Sequence, residues 1–223
     1  MKKNTKNSSM IQAPTNKVIV HPKTKYIKHI SDLMKRSSIQ NGATVDPSDV
    51  VNIIGEIVSL PMQISDNRDY EGYTTENLQV GDMAIFSFKV IYDLIIKQEN
   101  GEPVYKNLIK YNGNEYFSCD IRNLFGVIRG EDIVMVNGYV MATEFDQDKI
   151  IISQTIKTAK KTKSSQIMHI GNNKGHLKKI SANQGDTIFF DGSKVQHYEI
   201  NNKKFIILQQ EKILGVDASN YLP

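Results

Sequence analysis

The sequence predicts an all-β fold made of two tandem units, on the basis of three observations. Short runs rich in β-branched and aromatic residues alternate with turn signals, as where Asn16–Val20 lies between Pro14 and Pro22. Apolar runs such as Phe205–Leu208 are long enough for a buried strand and too short for a helix of normal length. The order of runs and turns in the first half of the chain recurs in the second half, which indicates a repeat.

Size and composition fit a cytoplasmic protein that does not contact a membrane. The 223 residues, 39% hydrophobic and 23% charged, can form one large domain or two smaller ones with proper cores. The single cysteine, Cys119, excludes an internal disulfide and suits a reducing compartment. No apolar run approaches the roughly 18 residues that span a bilayer, and the chain start lacks the apolar stretch of a signal peptide. Residues 1–12 and 218–223 are predicted to be flexible tails.

The first half contains six predicted strands and one predicted helix. Residues 23–49 are polar and basic, and helical spacing of their apolar residues predicts a short amphipathic helix with Tyr26, Ile27, Ile30, Leu33 and Met34 on one face. Asn112-Gly113 predicts a hairpin, because these two residue types tolerate positive φ. Strands are expected at Asn16–Val20, Val50–Leu60, Val80–Phe86, Val90–Ile96, Tyr116–Cys119 and Leu124–Ile128.

In the last third of the chain, Asp191-Gly192 gives the strongest hairpin signal. It predicts a tight turn that joins a strand at Thr187–Phe190 to a strand at Lys194–Ile200. Further strands are expected at Phe205–Leu208 and Ile213–Val216.

Matching segments occur in the same order in both halves. One Gly-Asp pair lies 104 residues after the other, and the closing Gly-Val pairs lie 89 residues apart. The extra chain in the first half lies mostly between residues 90 and 110, where a longer loop costs little closure entropy. The alternative is one β-rich domain whose strands merely look alike. The matched segments are Asn16–Val20 with Asp132–Val136 (Val18 with Val134), Glu56–Val58 with Gln166–Met168, Gly81-Asp82 with Gly185-Asp186, and Phe125–Val127 with Leu214–Val216.

The stretch Gly185–Val216 resembles the C-terminal half of the small co-chaperonin (GroES) family. There a Gly-Asp strand, a Gly turn followed by Lys-Val, a polar hairpin, an apolar strand and a terminal Ile-Leu-(Ala/Gly)-Val strand close a small irregular β-barrel. Ile11–Val20 is similar to the family's first strand, and chloroplast co-chaperonins are similar in carrying two such units. The resemblance covers residues 11–217 and implies two tandem GroES-like irregular β-barrels with long loops, at residues 13–129 and 130–217.

The resemblance also implies a function. A homo-oligomeric ring of such chains would cap an ATP-bound, GroEL-type chaperonin and close its folding chamber, while the partner hydrolyses the ATP. In this family an aliphatic tripeptide on a mobile loop, after the first strand, docks on the chaperonin's apical domains. The equivalent connection in the second half is Ala142–Ser165, and the chaperonin-binding residues implied there are Lys149, Ile150, Ile151, Ile152 and Ser153.

Two structures are open for this isoleucine triplet. A hydrophobic triplet in a stretch rich in Ser, Thr and Lys fits a loop that becomes ordered on binding. The alternative is a barrel strand at Lys149–Thr155, because isoleucine favours strands. In the first half, His21–Asp49 has no clean triplet, and its predicted helix either packs on its own barrel or docks on a partner. Whether the first unit also contacts the chaperonin therefore stays open.

No catalytic residue, metal site or cofactor is expected. Cys119 has no base near it in sequence, and Gly171–Gly175 matches neither the phosphate-binding loop nor the dinucleotide fingerprint. No pair among the histidines has the spacing of a zinc site. The histidines are His21, His29, His169, His176 and His197.

Two other functions are open. A small-barrel nucleic-acid binder could use a lysine cluster, but a net charge of +4 is mild, and no aromatic residue for base stacking is interleaved with the cluster. A structural protein, for example of a virus particle, could reuse the barrel without a chaperonin. The lysines are Lys157, Lys160, Lys161 and Lys163.

Overall fold

The regular secondary structure of the described residues is almost all antiparallel β-strand, as the sequence predicts. It contains fifteen strands and one α-helix of four residues. This computed structural model describes residues 11–22, 54–92, 94–97, 103–144, 162–172, 180–192, 195–200 and 203–217.

The first sheet has seven strands and is formed by residues up to 135. In chain order the elements are β1 (Lys17–Pro22), β2 (Ile54–Ser59), β3 (Met83–Phe86), α1 (Lys89–Tyr92), β4 (Leu94–Lys97), β5 (Pro103–Tyr105), β6 (Leu108–Tyr111), β7 (Asn114–Asp120), β8 (Leu124–Arg129) and β9 (Asp132–Met135). The sheet order is β6-β7-β1-β2-β3-β8-β9, and β4 pairs with β5 in a separate hairpin. Turns of 3₁₀-helix lie at Arg68–Tyr70 and Ile121–Asn123.

The second sheet repeats six strands of the first in the same order. Its strands are β10 (Tyr139–Thr143), β11 (Thr162–Ile170), β12 (Thr187–Asp191), β13 (Gln196–Ile200), β14 (Lys203–Gln209) and β15 (Ile213–Asp217). They are arranged β13-β14-β10-β11-β12-β15, which corresponds to β6-β7-β1-β2-β3-β8. A 3₁₀ turn at Gln210–Lys212 precedes β15, as Ile121–Asn123 precedes β8.

The pairing register is also shared. Val20 pairs with Ile57 in the first sheet, and Ala142 pairs with Ile167 in the second, each beside a β-bulge. The pairs β3–β8 and β12–β15 have a further bulge at the same place. Because register and irregularities coincide, each residue of one sheet has a defined equivalent in the other.

This correspondence corrects one match made from sequence, that of Val134 with Val18. Val18 pairs with Cys119 in β7, and the residue with the same pairing in the second sheet is Val140, opposite Leu208. Val134 lies in β9, which pairs with β8. Both candidate stretches are short and largely apolar, so local sequence could not distinguish them, whereas the strand pairing does.

Each sheet packs around its own apolar core, and equivalent positions fill the two cores. All of these side chains are buried. The pairs of equivalent core residues are Val18 and Val140, Val20 and Ala142, Ile57 and Ile167, Ala84 and Ile188, Phe86 and Phe190, Phe117 and Ile206, Cys119 and Leu208, and Leu124 and Ile213.

A third apolar cluster joins the two sheets. Phe125 of β8 is at its centre and is only 2% exposed. Its ring centroid lies 4.6 Å from that of Tyr139 and 6.0 Å from that of Tyr198, both in the second sheet. The Tyr198 hydroxyl donates a hydrogen bond to the Phe86 carbonyl oxygen at 3.1 Å. Aromatic contacts of this kind add to the free energy of burying the rings.

The predicted hairpin at Asp191-Gly192 is wrong. The strand before it, β12, pairs with β11 and β15, whereas β13 pairs with β14. An Asp-Gly pair favours a tight turn locally, but Ile188 and Phe190 are buried in the second core, and this burial places β12 beside β11. The turn therefore starts a connection across the sheet.

Two elements of the first half show where local signals succeed and fail. The hairpin at Asn112-Gly113 is confirmed: it joins β6 to β7, with φ angles of 49° and 78° at these residues. The strand predicted at Val90–Ile96 begins instead as the helix α1, and β4 starts only at Leu94. Val90 and Ile91 are buried in the first core, which a helical turn allows as readily as a strand.

The two Gly-Asp pairs form identical turns before β3 and β12. Each glycine, Gly81 and Gly185, has a φ of 95°, which favours glycine. The buried aspartate that follows accepts a hydrogen bond from a backbone N–H three residues earlier, at 2.9 Å for Asp82 and 2.8 Å for Asp186. The Gly-Asp signal therefore marks a structural turn in each unit.

The first of these aspartates, Asp82, has an arginine partner at the end of β8. Arg129 donates from Nε and Nη2 to the two carboxylate oxygens of Asp82, at 2.8 and 2.7 Å. These hydrogen bonds hold the pKa of Asp82 below its usual value, although burial opposes the shift. The residue equivalent to Arg129 in the second unit is Ala218, which has no charge.

Truncation of Phe125 to alanine should strongly destabilise the protein. The change leaves a cavity in the cluster between the sheets and is expected to lower the free energy of unfolding by about 3–5 kcal/mol. Val80→Ala is the control, since Val80 is 60% exposed, and should change it by no more than about 0.5 kcal/mol. Urea denaturation of both variants measures the difference, and equal stabilities would contradict a packed cluster.

Loss of the arginine partner should change the acid sensitivity of the fold. Because Asp82 has a lowered pKa in the folded state, its ionised form stabilises the protein above the unfolded pKa of about 3.9, and this contribution disappears as the pH falls. Arg129→Gln should therefore lower stability at neutral pH and flatten the loss of stability below about pH 4. Denaturation curves at several pH values test this.

Lys110→Gln is the control for that series. Lys110 is 75% exposed and lies 3.9 Å from Glu115, and exposed pairs of this kind contribute little. An unchanged acid profile in Arg129→Gln would exclude the proposed role of the pair.

Candidate functional site

The connection between β10 and β11 is where the sequence places the docking residues. Lys149–Ser153 falls within residues 145–161, outside the described residues, so the docking role stays a prediction. The structure does describe the base of this connection. β10 ends at Thr143 beside β11, and the backbone N–H of Gln166 donates to the Thr143 hydroxyl at 3.3 Å. The connection thus leaves and re-enters the second sheet at two neighbouring antiparallel strands.

Charged side chains lie beside this base. A carboxylate oxygen of Glu144 lies 3.9 Å from Lys204 Nζ, and the other lies 4.0 Å from His197 Nδ1. The Glu144 and Lys204 side chains are 44% and 65% exposed, so the pair contributes little to stability. The base is therefore a solvated surface of mixed charge.

The connection between β1 and β2 has the equivalent place in the first sheet. Residues 23–53, which include the predicted helix, lie outside the described residues. At the base, a Cβ on Gly55 would lie 3.0 Å from the His21 carbonyl oxygen and 3.0 Å from the Pro22 Cα. The His21 Nδ1 lies 2.8 Å from the Glu115 carbonyl oxygen. The imidazole ring of His21 packs against the ring of Tyr116, and the two ring centroids are 5.2 Å apart. This base is closely packed.

The loop between β2 and β3 is anchored by a tyrosine, an aspartate and an arginine. The Tyr70 hydroxyl donates to Asp120 Oδ2 at 2.7 Å. Arg122 donates from Nε and Nη2 to the same carboxylate at 2.9 and 3.1 Å, and its guanidinium carbon lies 4.5 Å from the Tyr70 ring centroid. Burial raises the pKa of Asp120, but hydrogen bonds from Arg122 and Tyr70 outweigh it, and the net pKa is lowered.

The same loop contacts the start of the second sheet. Asn137, with a φ of 55°, accepts a hydrogen bond from the Thr74 N–H at 3.2 Å and donates to the Ile121 carbonyl oxygen at 3.3 Å. The Tyr139 hydroxyl donates to the Arg122 carbonyl oxygen at 2.9 Å. The loop, the 3₁₀ turn before β8 and the second sheet are thereby joined by hydrogen bonds.

Sequence reasoning missed this cluster. Tyr70 lies 50 residues from Asp120, so no local pattern indicates their contact. The Asp120-Ile121-Arg122 triplet was the one local pattern that could have indicated part of the cluster. An aspartate at the start of a 3₁₀ turn can accept hydrogen bonds from both the backbone N–H and the side chain of the residue two positions later.

Other candidate chemistry is sparse in the described ranges. Cys119 is fully buried, and burial raises the pKa of its thiol, which keeps it protonated and unreactive. Among the described residues no group of three or more His, Cys, Asp and Glu side chains could hold a metal ion. His29 and His176 lie outside these residues. No helix in this part of the chain is long and apolar enough to cross a membrane.

The lysine cluster is only partly described. Lys163 lies in β11 and pairs with Phe190, so it belongs to the second sheet. Lys157, Lys160 and Lys161 lie outside the described residues.

Removal of the Tyr70 hydroxyl should loosen the loop between β2 and β3. Tyr70→Phe loses a hydrogen bond to a carboxylate and is expected to lower the free energy of unfolding by about 1.5–3 kcal/mol. Tyr73→Phe is the matched control, because Tyr73 lies in the same loop, its ring centroid is 6.4 Å from that of Tyr70, and its hydroxyl makes no hydrogen bond to another described residue. Faster proteolysis within residues 61–80 should accompany the loss only in Tyr70→Phe.

Comparison with known families gives a match in the second half of the chain. Residues 130–216 match the family model described as Chaperonin 10 Kd subunit. No curated protein matches the chain. The matched segment begins just before β9 and contains β10 to β14, nearly all of β15, and the connection between β10 and β11. This match supports a GroES-type co-chaperonin assignment for the second half.

Proposed function

We propose that this chain is a co-chaperonin with two GroES-like barrels, at residues 13–129 and 130–217, that caps a GroEL-type chaperonin. The family match over residues 130–216 is the observation on which this proposal rests. The first sheet adds support, because its strand order and register agree with those of the matched part. In this proposal the chain performs no chemistry of its own, and the partner supplies the ATPase.

The connection between β10 and β11 supplies the docking contact in this proposal. The described strands β10 and β11 on either side of it are neighbours in the second sheet, and in this proposal the segment that carries Ile150–Ile152 binds the partner. Burying three isoleucine side chains would yield roughly 5–9 kcal/mol, at about 1.5–3 each. Ordering several backbone residues costs about 1–2 kcal/mol each. The net affinity of a single loop is therefore weak.

Weak loops become effective when several act together. A homo-oligomeric ring would present many loops at once, and after the first contact the others bind at a high effective concentration. Weak individual contacts also allow the cap to leave, as a folding cycle requires. The first unit contributes to docking only if its connection, residues 23–53, also holds a binding segment.

The decisive experiment is a chaperonin binding and ATPase assay with a loop variant. Ile151→Asp should remove about 1.5–3 kcal/mol per loop, which corresponds to roughly ten- to hundredfold weaker binding per contact. Ile156→Asp is the matched control, since it makes the same change in the same connection outside the triplet. Loss of capture and of the ATPase effect only in Ile151→Asp is the expected result.

Two outcomes would count against the proposal. Equal binding by wild type and Ile151→Asp would exclude the triplet as the docking contact. If the wild type binds no chaperonin but binds single-stranded DNA with a steep salt dependence, the lysine cluster becomes the better site.

A further inference from the structure

Methionine is concentrated in the apolar cluster between the two sheets. Five of the eight methionines lie in the described residues, and four of these five belong to that cluster. Met135 and Met141 are buried, whereas Met83 and Met168 are partly exposed at its margin. The fifth, Met62, is 96% exposed in the loop between β2 and β3. Among the described residues, the cores of the two units contain no methionine. In this part of the chain, thioether groups therefore lie mainly where the two units meet.

The strands themselves do not require methionine at these positions. Because the register is shared, three of the cluster methionines have equivalents in the other unit, and all three equivalents are β-branched residues, which favour strands. Methionine instead has a flexible side chain that fills irregular gaps, such as those between two packed sheets. Its sulfur atom can also be oxidised. The equivalent pairs are Met83 and Thr187, Met141 and Ile19, and Met168 and Val58.

The margin of the cluster has one methionine in each unit. In the first sheet Met83 pairs with Ile128, and Ile128 pairs with Ile133, so these three side chains form a row across β3, β8 and β9. All three are partly buried and pack against the cluster. Met168 lies on β11 of the second sheet, which passes β9 closely: a Cβ on Gly171 would lie 2.9 Å from the Met135 backbone. A small oxidant in solution can therefore reach a methionine on either side of the junction.

We propose that Met83 and Met168 are sites of oxidation by peroxides, and that their oxidation loosens the contact between the two units. In this step the thioether sulfur attacks one oxygen of hydrogen peroxide, and an S–O bond forms as the O–O bond breaks. The hydroxide that leaves takes the proton from the transferred oxygen and becomes water, so sulfur loses the two electrons that the peroxide gains. The inference goes beyond the proposed function and does not depend on binding to a chaperonin.

A methionine sulfoxide does not fit this margin. Its oxygen is a polar acceptor, but the neighbouring side chains of Ile128 and Ile133 are apolar and donate no hydrogen bond. Burial of a polar group without a partner is unfavourable, so the oxidised side chains move out into water and the cluster loses its cover. The two unit cores have no methionine among the described residues and keep their packing. Oxidation therefore changes how the units are held together, while each unit stays folded.

Treatment of the full-length protein with dilute hydrogen peroxide, followed by mass spectrometry of its peptides, tests the sites. Met62 should be oxidised first among the described methionines, because it is the most exposed. Met83 and Met168 should follow, and both should react before the buried Met135 and Met141.

Hydrogen exchange tests the effect on the junction. The Val136 N–H donates to the Phe125 carbonyl oxygen at 2.9 Å and reports on the contact between the units. Its exchange should become at least about tenfold faster in protein oxidised at Met83 and Met168. Exchange in β1, which lies in the middle of the first sheet, should stay unchanged. Methionine sulfoxide reductases should restore the slow exchange.

Variants separate these two methionines from the others. The double variant Met83→Leu/Met168→Leu keeps the side-chain volume nearly constant and removes both margin sulfurs, so it should fold and lose the response to peroxide. Met62→Leu is the matched control, since it removes the most exposed described sulfur and should respond as wild type does. Met83→Gln/Met168→Gln places polar side chains of similar length at the margin and should speed exchange at Val136 without peroxide.

Three results would overturn the inference. Met83 and Met168 could stay unmodified until the whole chain unfolds. Both could be oxidised with no change in exchange at Val136. The double leucine variant could respond to peroxide as wild type does, which would assign the effect to other methionines. Chaperonin binding enters none of these measurements, so its failure would remove the proposed function and leave this inference standing.

Discussion

The backbone pairing of β9 with β8 is the interaction on which the relation of the two sheets depends. β9 extends the first sheet but continues directly into the first strand of the second. The approach is possible because Gly126 has no side chain where the Val134 carbonyl oxygen passes. With β9 in the first sheet and β10 following it in the second, Phe125 is covered by Tyr139 and Tyr198, and the junction acquires an apolar core of its own. Two units that would otherwise be joined only by chain are thereby packed together.

The two units are alike in their cores and differ at their edges. Equivalent core positions hold buried residues in both units, and single pairs such as Ala84 and Ile188 differ in size, since a core tolerates such changes when other positions compensate the volume. At the edges, the first unit has the additional hairpin of β4 and β5, and the ion pair of Asp82 with Arg129. The second unit lacks a charged residue at the equivalent of Arg129. Surface elements can diverge in this way because they do not have to fit a core.

The same scaffold suits a protein that acts by presenting a segment to a partner. In each sheet a long connection leaves and returns on neighbouring strands, at β1–β2 and β10–β11. The first connection begins at a closely packed base around Gly55 and His21, and the second at a solvated base beside Glu144. The family match lies over the second unit, where the isoleucine triplet also lies. A weakly binding segment between two neighbouring strands fits the multivalent capping that we propose.

The sequence by itself determined the all-β class and the Asn112-Gly113 hairpin, because these depend on local φ preferences and on short apolar runs. Only the tertiary structure decided which strands are neighbours. In the structure β12 does not pair with β13 in spite of Asp191-Gly192, and β9 pairs with β8. The strand pairing also shows that Val140 is the equivalent of Val18. Strand pairing joins residues that are far apart in sequence, and it depends on which side chains are buried together. A local sequence pattern therefore cannot predict it.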